Sequence, residues 1–93
     1  MPRPICPRVV SGSPAATYFK PAGIPLRELR ENQLTLDQFE ALRLADLEGL
    51  GQEEAAGRMG ISRQTFGRII KQARVAVARS VVRGEALRID RGA

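Results

Sequence analysis

The chain has 93 residues, 43% of them hydrophobic and 4% aromatic, which suits one small domain with a thin core. No apolar run is long enough to cross a bilayer, and the opening MPRPICPR lacks the hydrophobic stretch of a signal peptide, so a cytoplasmic protein is expected, with no membrane partner. A single cysteine and no histidine exclude an internal disulfide and a structural zinc site within one chain; with no paired carboxylates in an apolar setting and no phosphate-cradling glycine loop, neither catalysis nor a metal or other cofactor is expected.

The net charge of +5 is unevenly spread: residues 1–34 carry +3, residues 35–57 carry −5 and residues 58–93 carry +7. Merely soluble proteins intersperse their signs, so the basic block nominates a side that faces a polyanion.

In chain order, residues 1–16 hold four prolines with Arg3 and Arg8, have no apolar periodicity and read as a flexible basic arm. Such an arm either follows a DNA minor groove or is a solvated tail. Cys6, within it, reads as a bystander. Residues 17–34 begin with the β-favouring Thr17, Tyr18 and Phe19, which a Pro21–Gly23 turn closes; Ile24, Leu26 and Leu29 follow as a short helical turn or extended segment that Pro25 can start.

Helix A is expected from Thr35, which forms a capping box with Gln38, to a stop at Gly49. Its apolar side is Leu36, Phe39, Leu42, Leu44 and Ala45. A second helix starts at Gln52, packs through Ala55, Ala56 and Met59, and ends where Gly60 can adopt positive φ. Ile61 plugs the wedge and Ser62 caps a third helix from about Arg63 to Val82, bonding the backbone N–H of Gln64 or Thr65.

Along that third helix Phe66, Ile70, Ala73, Val77 and Val81 make a continuous apolar stripe. Its second half carries more apolar surface than a small monomer easily covers, which suits either a dimer interface or packing against residues 17–29. Gly84 ends the helix, and Ala86–Ile89 alternate in polarity as a second strand within residues 84–93. The two strands pair either within one chain or between two chains of a dimer. The fold class is mainly α: a three-helix helix-turn-helix domain at residues 35–83 with short β segments near both ends.

The segments TYFKPAGIPLREL, LTLDQFEALRLADLEGL, QEEAAGRMGISRQTFGRII and GEALRI together resemble uncharacterised protein family 0251, also called domain of unknown function 134. The resemblance covers nearly everything from Thr17 to Ile89. It implies a predicted DNA-binding protein whose helical part is similar to region 4 of bacterial sigma factors, with members sometimes found fused or near to domains for nitrogenase-type iron-molybdenum cofactors. This chain departs from the pattern where similar proteins have a more basic N-terminus and often a second cysteine near position 11, here Ser11. A cysteine-based sensor is therefore not expected.

The function expected is sequence-specific binding of double-stranded DNA by a prokaryotic transcriptional regulator. Arg63, Gln64 and Arg68 would reach base edges, arginine reading guanine and glutamine adenine. Gln52, Ser62, Thr65, Lys71 and Arg74 would hold phosphates. The alternative is an adaptor that docks on RNA polymerase through the acidic residues Asp37, Glu40, Asp46, Glu48, Glu53 and Glu54, a block that can equally be a solvated face. RNA is disfavoured, because Tyr18 and Phe19 do not make a base-stacking platform.

Overall fold

The structure is a computed structural model that describes residues 9–90. Three helices stand against a small three-stranded sheet: β1 (Tyr18–Phe19), β2 (Glu31–Leu34), α1 (Leu36–Leu42), α2 (Gln52–Met59), α3 (Arg63–Arg83) and β3 (Ala86–Ile89), with a 3₁₀ turn at Leu26–Glu28 after Pro25. The expected mainly helical class is thus only partly right, because the sheet is a full layer of the fold.

Local rules account for the helix ends. Thr35 accepts the Gln38 N–H while Gln38 Oε1 accepts the Thr35 N–H at 3.0 Å, satisfying two donors that the first turn of α1 leaves open. Beyond Leu42 the helix widens into a π turn over Arg43–Leu47, where the Glu48 N–H reaches the Arg43 carbonyl at 2.9 Å. At the end of α2 the Ile61 N–H bonds the Ala56 carbonyl at 3.1 Å and the Gly60 N–H bonds the Gly57 carbonyl at 3.2 Å. This is a Schellman turn, with Gly60 at φ +68°.

β3 is the central strand, antiparallel to β1 and parallel to β2, in the order β1-β3-β2. The two strands expected from the sequence therefore pair within one chain, Tyr18 opposite Arg88 and Phe19 opposite Leu87. β2 was not expected: its sequence ENQL offers only Leu34 to the interior, and what makes it a strand is its register with β3, Glu31 against Ala86 through Leu34 against Ile89. An Arg88–Glu31 ion pair at 3.0 Å, and a Tyr18 hydroxyl that donates to Glu31 at 2.7 Å, lace the outer face.

The core has two parts. Ala41, Leu44, Ala55, Ala56, Met59, Phe66, Ile69 and Ile70 fill the junction of the three helices, with half-buried Ile61 packed against them as expected. Leu34, Ala73, Ala76 and Ile89 join α3 to the sheet. The expected stripe holds for Phe66, Ile70 and Ala73 but not to its end: Val77 is half-buried and Val81 is 76% exposed. Val77 and Val81 border an open, mostly apolar hollow with Phe19 and Leu87 of the sheet.

The expected flexible arm lies partly outside the described residues, as do Arg3, Cys6 and Arg8. Its described part is tied down. The Val9 N–H bonds the Met59 carbonyl at 3.0 Å, and the Ser11 and Gly12 N–H groups each donate to the Glu40 carboxylate at 3.1 Å.

Candidate nucleic-acid interface

α-Helical residues advance by about 100° each, so positions i, i+4, i+7 and i+11 share a face. On α3 that rule puts Gln64, Arg68, Lys71 and Val75 on one side, opposite buried Phe66, Ile70 and Ala73, and all four are exposed. The helix start is ordered by Ser62, whose Oγ accepts the Thr65 N–H at 3.1 Å. Its own proton goes to Thr65 Oγ1 at 3.0 Å, which leaves the Thr65 hydroxyl hydrogen for an outside acceptor and Ser62 with none.

The sequence-nominated residues fall into two strips rather than one. Arg68 and Lys71 line an open groove of about 520 Å³ between α3 and β2, together with Arg79. Asn32, Gln33, Gln38 and Gln72 complete its polar lining, and among the described residues no acidic residue lines it. Arg63 instead lines a shallow hollow at the start of α2 with Gln52, Glu53 and Glu54. Gln52 also borders the flank that Lys71 shares with Gly67 and Arg74.

Ion pairing separates the cations further. Arg74 donates to both carboxylate oxygens of Asp46, at 2.8 and 3.1 Å, and this guanidinium holds the Asp46 carboxyl below the usual aspartate range. The phosphate role expected of Arg74 is therefore opposed by a carboxylate already in place. Arg58 pairs with Glu54 and Arg88 with Glu31, whereas Arg63, Arg68, Lys71 and Arg79 form no ion pair among the described residues.

The acidic block is largely engaged too. Glu40 is 1% exposed, so it is neither a docking group nor a solvated one. Its oxygens accept Arg43 Nε at 2.9 Å and Arg43 Nη2 at 2.8 Å besides the two backbone N–H groups. Arg43, helped by those N–H groups, keeps the Glu40 carboxyl below the usual glutamate range. Arg43 also reaches Glu48. Sequence reasoning had no access to this latch beyond the i,i+3 spacing of Glu40 and Arg43, because its other donors are 28 and 29 residues away. Arg79 was legible: it lies eleven residues from Arg68, on the same helical face.

The geometry defines a small α/β domain of three helices and a three-stranded sheet, with one cationic groove beside its longest helix. The chain belongs to the family described as protein of unknown function DUF134, whose profile matches residues 1–93. It is 55% identical over 92 residues to a UPF0251 protein of Desulfosudis oleivorans, covering 99% of this chain and 67% of that protein. A UPF0251 protein of Moorella thermoacetica is 53% identical over 99% of this chain and 62% of its own length. One from Methanosarcina acetivorans is 51% identical over 97% and 80%. The chain thus spans about two thirds of the length of the first two relatives. No solved structure matches it significantly. Among the described residues no helix is long and apolar enough to cross a membrane.

Proposed function

We propose that this protein is a transcriptional regulator that binds double-stranded DNA by sequence, with α2, the Gly60–Ser62 turn and α3 acting as a helix-turn-helix similar to sigma factor region 4. The N-terminal half of α3 enters the major groove. One observation carries the reading: Gln64, Arg68 and Lys71 share an exposed face of α3 whose cations have no carboxylate partner among the described residues. Among the described residues Arg43, Arg58, Arg74 and Arg88 are paired with acids. Cations left unpaired along one helix face suit a partner that brings the negative charge.

In this proposal Gln64 and Arg68 read base edges, and Arg63 reaches them from the α2 side. Lys71, Thr65 and Gln52 contact phosphates. Exposed Val81 and Val82, at 76% and 81%, with Phe19 at 51%, give a second copy an apolar surface, so that two protomers occupy half-sites of a palindrome. The adaptor reading has less support, since Glu40 is buried and Asp46, Glu48 and Glu54 are paired within the chain.

Selection from a random duplex library, followed by a salt series on the enriched site and a scramble, tests the proposal. Enrichment of a site bound far more tightly than the scramble is the expected result, and Arg68→Ala should then lose about 1–3 kcal/mol at one base position. A palindromic winner with a protomer stoichiometry of two supports the dimer; no enrichment refutes sequence readout.

A further inference from the structure

The groove extends well past the residues that read bases. Arg79 is eleven residues beyond Arg68, about 16 Å along the helix axis, while the major groove is about 12 Å wide. With the N-terminal turns of α3 among the base edges, Arg79 therefore falls outside the groove, against its wall. That wall is sugar and phosphate.

We propose that the trough between β2 and the C-terminal half of α3 is a second binding site for the phosphate backbone of the same duplex, with Arg79 and Gln72 as its side-chain donors. The inference rests on the DNA-binding reading and extends it to the sheet side of α3. Gln33 borders the trough from β2, with its side chain turned to the outer face beside Glu31 while Asn32 and Leu34 meet α3. Its backbone is fixed by the parallel register that sets it against Arg88 on β3. Gln72 accepts a bond from Gln38 Nε2 at 3.3 Å, so its oxygen is occupied and its two amide hydrogens are left to face an acceptor.

Asn32 closes the end of the trough without joining the donors. Its Nδ2 donates to Ser80 Oγ at 3.2 Å and to Glu85 Oε1 at 2.9 Å, which ties β2 to the C-terminal turns of α3. The result is two exposed donors on α3 beside a strand fixed against it, and phosphate oxygens accept such donors without base preference.

The test compares wild type, Arg79→Ala and Gln72→Ala on the selected duplex and on the same site trimmed at each end in turn. Both substitutions lie on exposed positions, and alanine suits the helix at 79. On the long duplex Arg79→Ala should weaken binding about tenfold and lower the log K against log salt slope by about 1, with the base preference unchanged. Gln72→Ala should weaken binding a few-fold and leave the slope alone. Trimming one end should bring wild type down to the variants and abolish the differences. An Arg79→Ala protein that matches wild type on the long duplex, or that loses equally on long and trimmed duplexes, overturns this inference alone. Wild type without affinity for any duplex overturns the DNA-binding reading with it.

Discussion

Glutamine in place of Glu40 keeps the shape of the most enclosed carboxylate and removes its charge. Oε1 accepts the Gly12 N–H at 3.1 Å and Arg43 Nε at 2.9 Å; Oε2 accepts the Ser11 N–H at 3.1 Å and Arg43 Nη2 at 2.8 Å. Each oxygen therefore serves one backbone and one guanidinium donor. However the new amide is flipped, its NH₂ group faces two donors, so two bonds to a charged acceptor are lost at about 1.5–3 kcal/mol each. Removing one member of a buried ion pair costs about 3–5 kcal/mol, but Arg43 is only half-buried and retains Glu48. A loss of about 3 kcal/mol follows, a large share of the stability of a small domain.

Urea unfolding at pH 7, followed by far-ultraviolet circular dichroism, measures that difference. The pH dependence gives a second, independent check. Arg43 holds the folded-state carboxyl of Glu40 below its ordinary range, so the carboxylate contributes fully above the unfolded-state value and progressively less as the pH falls toward the folded one. The gap between wild type and Glu40→Gln should thus be widest at neutral pH and close in acid. Asp46, also depressed by its arginine, is present in both proteins and cancels. A gap under about 0.5 kcal/mol at pH 7, or one that persists unchanged into acid, would refute the latch.

Two further substitutions probe the interface. Gly67 sits inside α3, and a Cβ there would lie 3.7 Å from Gln52 Oε1, an ordinary contact; Gly67→Ala should raise stability by about 0.5–1 kcal/mol in a thermal or urea melt, and a loss instead would mean that the α2–α3 flank has no room for a methyl group. Asp46→Asn frees Arg74 from its carboxylate and removes one negative charge, so anisotropy titrations with the selected duplex should show several-fold tighter binding and a salt slope steeper by about 1. Stability should change by less than about 1 kcal/mol, since both partners are about half exposed. An unchanged slope would place Arg74 away from the phosphates.

How far the sequence speaks depends on how far apart the cooperating groups are. The Thr35–Gln38 box, the Ser62 cap and the turn at Gly60 are complete within a few residues of themselves, so the three helices and their ends follow from local chemistry. β2 does not: its polar ENQL becomes a strand through partners some 57 residues away, as the Glu31–Arg88 contact marks. The candidate site divides the same way. The exposed face of Gln64, Arg68 and Lys71 is helical periodicity and was legible, whereas the neutralisation of Arg74 by Asp46 spans 28 residues and was not. Counting charge along the chain therefore finds the basic part of the sequence but not which of its cations stay unpaired. Arg43, Arg74 and Arg88 meet carboxylates of α1, its π turn and β2, and the last two of these pairs join separate elements, while Arg58 pairs within α2. Among the described residues the arginines that meet none include Arg68 and Arg79, which with Lys71 line one trough, and also Arg27, Arg30, Arg63 and Arg83, which lie outside it. The charge available to a polyanion is what the tertiary structure leaves unpaired, and the part of it that gathers in one trough lies beside β2, the element that the sequence announced least.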